Sequence, residues 1–415
     1  MRDAGQKMPV VHRVCILNHI AIYLKDHWRG NLLLPISFWV NGLVTALVVG
    51  VLTTYAVDAI YKSNLTDGAW AFSTLAILGL CIIITAWAVV GILQSSTNYL
   101  QQGGRVALGV TAMVFMLIST LCLILQISKT SPAIIESGLL QVGIDPLGAP
   151  AALTVTGREL HIDGHLTINL AEAFTALINK HPDVDQISMT SPGGRLDTAL
   201  QIASIISERK LSTVVVGECS SACTIIFLSG KIRMFDINST LGFHSPSVPG
   251  ISDLEARFRS PEVTDAYEAA GLSEAFISKA LRTPSTSTWH PSDEVLIEAG
   301  AVNLFTQARI EQEHEQELEY FRTKDTLEVD KLTKAVSAKT ENNSITYTYA
   351  IADRYDQVDW DGMVVKAKYD ANVAICRNAV TNVMVKSGSS YTYLYVDKNG
   401  EKIGSVTIEK CYNTV

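Results

Sequence analysis

Hydrophobic and polar positions divide the chain sharply. Three long apolar stretches occupy residues 33–57, 70–94 and 106–127, and each is free of charged side chains. Each reaches the ~20 residues that a helix needs to cross a hydrocarbon layer of ~30 Å. The first starts too late, and is too long, for a secretory leader. From about residue 152 the texture becomes globular. LHIDGHL (160–166) predicts a strand and turn, LAEAFTALINKH (170–181) a helix, and QISMTS (186–191) a buried strand. A turn follows at Ser191-Pro192-Gly193-Gly194, then a helix over 196–210 and a strand over 212–217. ECSSACTIIFLSG (218–230) reads as a turn opening a helix, with short strands at 232–235 and 241–244. Strands alternating with helices predict a mostly parallel sheet with helices packed on it.

Toward the C-terminus, residues 309–342 are charge-rich and lack glycine, which predicts a charged helical linker. ITYTYAI, VVKAKY, YTYLYVD and KIGSVTIEKCY then alternate like strands, Lys398-Asn399-Gly400-Glu401 predicts a hairpin turn, and residues 371–388 suit a helix. The expected layout is a cytoplasmic segment 1–32, three transmembrane helices in 33–127, an α/β domain over 150–308, the linker 309–342 and a small α+β module over 343–415.

Charge sharpens this division. Hydrophobic residues make up 48% of the chain and charged residues 18%, and mean hydropathy is +0.22. A soluble protein usually carries about 25% charged residues. Residues 1–130 hold 8 Lys and Arg against 4 Asp and Glu, which leaves 25 and 37 of the total 33 and 41 for the remainder. An acidic remainder and a net charge of −8 exclude a general nucleic-acid binder. Basic residues flank the spans unevenly: Arg2, Lys7, Arg13, Lys25, Arg29 and Arg105 lie on one side, Lys62 and Lys129 on the other. The excess predicts a cytoplasmic N-terminus, and three crossings then export everything after about residue 128. Residues 8–28 are apolar with basic punctuation and suit the inner membrane face.

Two features carry chemistry. The Pro-Gly-Gly turn exposes backbone N–H groups with no Cβ in the way. Ser220-Ser221 sits at a strand-to-helix junction, where the helix N-terminus favours negative charge. His244 follows 23 residues after Ser221 and completes the means for nucleophilic catalysis.

In order and spacing, Ser191-Pro192-Gly193-Gly194, Gly217-Glu218-Cys219-Ser220-Ser221-Ala222 and Phe243-His244-Ser245-Pro246 resemble the Clp protease proteolytic subunit and the wider crotonase-like superfamily. The resemblance is specific over about 187–247 and extends over about 152–308. It implies Ser221 as nucleophile, His244 as general base, and an oxyanion hole from the N–H groups of Gly194 or Gly193 with Ala222. Ser220 is the alternative nucleophile. The family's acid falls at Ser287 or Thr288, neither of which ionises; Asp293 is the substitute, with Glu294 and Asp265 as alternatives. A Ser–His dyad also suffices, because the carboxylate orients the ring without taking its proton. Other members, such as signal peptide peptidase A, use a Ser–Lys dyad, for which Lys279 and Lys231 are the nearby lysines. His161 and His165 lack partners at ligand spacing, so no metal is expected, and no cofactor.

The implied activity is a membrane-anchored serine endopeptidase in a bacterial inner membrane, with its catalytic and C-terminal domains in the periplasm. It would act on extended or membrane-associated polypeptides, with no ATPase module in the chain. Partners are a polypeptide substrate, the lipid bilayer and, from ring-forming relatives, a second copy of the chain. The alternatives are an inactive scaffold of the same fold and acyl-thioester chemistry. The exported part holds Cys219, Cys223, Cys376 and Cys411. An oxidising compartment favours a Cys376–Cys411 disulfide. Cys219 and Cys223 either bridge or remain two buried thiols. The tail resembles a small bacterial cell-envelope module with one disulfide.

Overall fold

A computed structural model of the protein describes residues 10–62, 67–247, 252–324, 327–352 and 359–411. Arg2 and Lys7, used above for orientation, lie outside the described residues. The chain forms two units, Met1–Pro146 and Leu147–Val415.

The first unit is helical. Helix α1 (Val10–Trp28) is followed by a π-helical segment (Ile36–Val44) that runs into α2 (Thr45–Lys62); α3 (Asp67–Gln101) and α4 (Val106–Gln141) complete it. Two segments are long and apolar enough to cross a membrane by length and composition, Ile36–Ala56 and Phe72–Gln101. The third expected span is helical throughout, but its apolar part, Val106–Cys122, is shorter. Leu52, Phe72 and Leu117 point outward, around a small interior of Leu34, Ala88, Ile92, Ala112 and Met116. An exterior as apolar as its interior suits lipid rather than water. Helix α1 packs on α3: the Trp87 indole donates to the Leu24 carbonyl at 3.0 Å. Gly91 makes room for His27, whose Nε2 would stand 2.3 Å from a Cβ there.

The second unit opens with β1 (Ala152–Thr156), β2 (Glu159–Asp163), α5 (Leu170–Lys180), β3 (Gln186–Ser191), α6 (Leu196–Arg209) and β4 (Ser212–Ser220). Next come α7 (Ala222–Leu228), β5 (Arg233–Phe235), β6 (Thr240–Gly242), α8 (Asp253–Arg259), α9 (Pro261–Ala269), α10 (Glu274–Arg282), α11 (Asp293–Glu298) and β7 (Leu304–Phe305). Strand order is β1-β2-β3-β4-β5-β7, and only β1 runs antiparallel to its neighbour. Strand β4 is nine residues long and serves two neighbours on one edge: β5 pairs with Thr213–Val215 and β6 with Glu218–Ser220.

Ile187, Met189 and Val215 of the sheet and Phe174, Ile178, Ile202 and Ile206 of the helices are fully buried. Each such side chain contributes about 1.5–3 kcal/mol on leaving water. Arg233 is half-buried; its guanidinium donates to the carbonyls of Leu228, Ala270 and Gly300, where α7, α9 and α11 end.

The chain continues through α12 (Gln307–Arg322), β8 (Leu327–Glu328), β9 (Thr333–Glu341), β10 (Ser344–Ile351), α13 (Trp360–Arg377), α14 (Ala379–Lys386), β11 (Ser390–Val396) and β12 (Lys402–Ile408). A second sheet, ordered β12-β11-β10-β9-β8, has one parallel pair, β10 with β11. Residues 309–342 are therefore helical only as far as Arg322, and their second half supplies strands. VVKAKY (364–369) is helical too: Val364, Ala367, Ala371 and Ile375 all face the core at helical spacing, which outweighs six residues of alternation. Four tyrosines of β10 and β11 stack in register, Tyr347 on Tyr393 at 5.9 Å and Tyr349 on Tyr395 at 5.5 Å. Cys376 and Cys411 are joined.

Candidate active site

Strand β3 ends at Ser191, whose hydroxyl donates to the Gly164 carbonyl at 2.6 Å and accepts the Gly193 N–H at 3.1 Å. The turn is stitched to Leu166, which donates to the Gly193 carbonyl at 2.9 Å and accepts from Arg195 at 2.7 Å. Gly193 has φ +99° and presses on the next strand end: a Cβ there would lie 2.6 Å from the Ser220 carbonyl, 2.7 Å from Ser221 Cβ and 3.1 Å from the Ala222 nitrogen. Only glycine permits that approach. Among the described residues the N–H groups of Gly194 and Ala222 have no acceptor. Of the three residues expected at an oxyanion hole, Gly194 and Ala222 thus offer donors, while the Gly193 N–H is taken by Ser191.

Ser221 caps α7 with φ 56° and ψ −128°, a conformation that costs a non-glycine residue of order 1–3 kcal/mol and persists only where its surroundings enforce it. Three constraints do so. The Ser221 N–H donates to the Gly242 carbonyl at 2.8 Å, and its own carbonyl accepts from the Thr224 N–H at 3.0 Å and hydroxyl at 2.7 Å. A Cys219–Cys223 disulfide spans it, Cα to Cα 5.3 Å. Thr224 is in turn bonded to the buried Tyr267 hydroxyl at 2.9 Å; burial pushes that phenol up to about 12, so it stays neutral. Ser221 is partly exposed, and its hydroxyl has no partner among the described residues. Ser220 is buried, and its hydroxyl donates to Glu218 at 2.6 Å. Of the two serines, Ser221 has the available hydroxyl.

His244 lies two residues past the carbonyl that holds the Ser221 N–H. Its Nδ1 is 2.7 Å from the Ser245 carbonyl. A carbonyl only accepts, so Nδ1 carries the proton and Nε2 keeps its lone pair. No hydrogen bond joins His244 to Ser221 among the described residues; such contacts commonly tighten only with substrate bound.

Asp293 is not brought to His244. It opens α11, and its carboxylate is paired with Arg309 at 2.7 Å, while burial pushes the carboxyl above its usual range. Arg309 also holds Glu313 at 2.5 Å, so Asp293 binds α11 to α12. Glu294 is held below its usual range by its own N–H and by Ser292, and Asp265 is exposed on α9. Lys231 precedes β5, at the end of the sheet opposite Ser221. The Lys279 ammonium rests 4.7 Å from the Trp289 ring centre. His161 bonds Ser188 at 2.8 Å, and His165 makes a bridge with Pro150. Among the described residues no cluster of His, Cys, Asp and Glu could hold a metal.

Sequence reasoning missed three neighbours of the site. Gly242 lies where a Cβ would stand 2.2 Å from Ser220 Oγ, 2.6 Å from Thr288 Cγ2 and 2.9 Å from His290 Cε1. His290 bonds the Leu241 carbonyl at 3.1 Å. Asp253 begins α8, nine residues after His244, and no local motif marks it.

No protein-family model and no curated protein matches the chain. Solved structures do. ClpP1 from Listeria monocytogenes is 21% identical, covering 36% of this chain and 91% of that one with a TM-score of 0.32. A point variant of that ClpP1 is 23% identical, covering 37% and 93% with a TM-score of 0.31. A variant of the 1510-N membrane-bound stomatin-specific protease is 16% identical, covering 38% and 82% with a TM-score of 0.29.

Proposed function

We propose that the chain is a membrane-anchored serine endopeptidase. The observation that carries the reading is the enforced backbone of Ser221, set beside two unpaired N–H groups, those of Gly194 and Ala222. Ser221 Oγ attacks a peptide carbonyl, and its proton passes to Nε2 of His244. The carbonyl electron pair moves onto oxygen, held by Gly194 and Ala222. The imidazolium then protonates the leaving amine, and water repeats the cycle on the acyl-enzyme. Preorganised donors of this kind are worth about 10²–10³ in rate each.

Placement outside the cytoplasm is supported by the two disulfides, since reducing compartments rarely keep them. It requires an odd number of crossings from a cytoplasmic N-terminus, hence a third span through α4. The substrate is an extended or membrane-associated polypeptide, and the active form is a homo-oligomer, testable by the mass of the detergent-solubilised protein.

Ser287 or Thr288, neither of which ionises, at the position of the family's acid favours a second reading, a binding scaffold that keeps the fold. One experiment separates the two: fluorophosphonate labelling and casein cleavage by the solubilised chain, Ser221→Ala and His244→Ala. Either substitution is expected to lower turnover roughly 10⁴-fold or more. No Ser221-dependent labelling and no cleavage would leave the scaffold. Alkaline phosphatase fused after about residue 140 is expected to be active if the orientation by flanking charge holds; an inactive fusion reverses the topology.

A further inference from the structure

His244 receives its fixed tautomer from a backbone carbonyl, but a carbonyl bears no full charge with which to steady the imidazolium. A carboxylate bonded to the neighbouring segments comes from an unexpected direction, the start of α8. Ser245, next to His244, donates its N–H to the Thr283 carbonyl at 2.8 Å, which lays the 283–285 segment alongside the histidine. Ser285, two residues on, holds the Asp253 carboxylate with its N–H at 2.9 Å and its hydroxyl at 2.7 Å. The Ser245 hydroxyl reaches the Asp253 main-chain carbonyl at 3.4 Å. Asp253 is thus tied to both segments that frame His244.

We propose, resting on the peptidase reading above, that Asp253 is the positioning acid of the site, a fixed negative charge that favours the protonated form of His244. It arrives from the start of α8 instead of the loop before α11, where the resemblance puts the family's acid at Ser287 or Thr288. The Ser285 bonds hold its carboxyl below the usual range, with the charges of Arg257 and, after it, His244 acting in the same direction, so it remains anionic. Asp253 neither gains nor loses a proton in the cycle. When the Ser221 O–H breaks and its proton reaches Nε2, the imidazolium carries a positive charge that a neighbouring carboxylate stabilises.

Other charges lie nearby, and that of Arg257 also acts on the Asp253 carboxyl. Arg257 of α8 donates to the Asp253 main-chain oxygen at 3.4 Å. Lys279 of α10 covers Trp289, and His290 bonds the Leu241 carbonyl. Asp293 belongs to Arg309.

The test uses the full chain in detergent. Carbethoxylation of His244 by diethyl pyrocarbonate, read by peptide mass spectrometry across pH, follows the neutral ring without requiring turnover. Asp253→Asn is expected to move the midpoint of modification to lower pH, by roughly half a unit to one unit. Ser285→Ala, which loosens the carboxylate without removing it, is expected to give a smaller shift of the same sign. Asp293→Asn is expected to give none. On a model peptide, Asp253→Asn is expected to lower kcat about tenfold with little change in KM, and to move the acid limb of the profile with the modification midpoint. An unchanged midpoint in a folded Asp253→Asn chain, or an equal shift from Asp293→Asn, overturns the role of Asp253. A shifted midpoint in a chain without Ser221-dependent hydrolysis supports the coupling of Asp253 to His244 and overturns the peptidase reading instead.

Discussion

Gly193 approaches Ser221 so closely that a methyl group on its Cα would stand 2.7 Å from the Ser221 Cβ. The contact joins two turns that are 28 residues apart in the chain. On the proposed peptidase reading, Gly193→Ala is therefore expected to lower kcat at least about 10²-fold by displacing Ser221 or the neighbouring N–H donors. Gly217→Ala is the control: its φ of +98° is the same, but its nearest neighbour, Thr190 Cγ2, is 3.6 Å away. It should lose stability from backbone strain, roughly 1 kcal/mol, with far less effect on kcat. Equal kinetic losses in the two variants would show that strain, not approach, matters.

The two disulfides should separate by readout. Chain-entropy estimates give about 2 kcal/mol for a loop of the Cys219–Cys223 size and about 4 kcal/mol for one spanning Cys376–Cys411. Replacing Cys376 and Cys411 by Ser is expected to lower the melting temperature with the kinetics intact. Replacing Cys219 and Cys223 is expected to cost less stability and more kcat, since that bridge spans Ser221. Calorimetry and peptide kinetics on both variants decide it.

Arg233 has no carboxylate partner among the described residues, and burial holds its guanidinium below the usual range. Its value lies in three helix-end carbonyls that have no other donor among the described residues. Arg233→Met keeps the apolar stem and abandons those acceptors, at a cost of roughly 3 kcal/mol or more, seen as a melting temperature lower by roughly 10 °C. A loss of only a degree or two would mean that water replaces the guanidinium.

Glu317 is half-buried against the second sheet, where it accepts from the Tyr347 and Tyr391 hydroxyls. Burial outweighs these bonds and pushes its carboxyl up. A carboxyl raised in the folded state stabilises the fold while protonated; that benefit is complete below its unfolded value and fades as pH rises through the folded one. Glu317→Gln is expected to be at a disadvantage near pH 4 and to improve relative to wild type by pH 8. A difference in melting temperature independent of pH would rule this out.

The local parts of the candidate site were legible in the sequence. The Pro-Gly-Gly turn, the serine pair and His244 follow strands whose apolar runs are bounded by turn residues, and β3 begins and ends where its pattern does. Asp253 escaped because its relation to His244 passes through Ser245, Thr283 and Ser285, contacts that no spacing encodes. Asp293 misled for the same reason, since Arg309 claims it from a helix begun after β7. In the tail, six alternating residues at 364–369 imitated a strand until the longer helical spacing of Val364, Ala367, Ala371 and Ile375 was satisfied by packing.

Strand β4 is paired at Cys219 on both edges, with Ser191 of β3 and Leu241 of β6. The serine that follows it takes its last backbone partner from Gly242. Hence no stretch of chain ending before β6 contains the candidate site, however well its own helices and strands form. Activity should appear in one step during synthesis and refolding, when the third of these strands docks, and so would report that this sheet is complete.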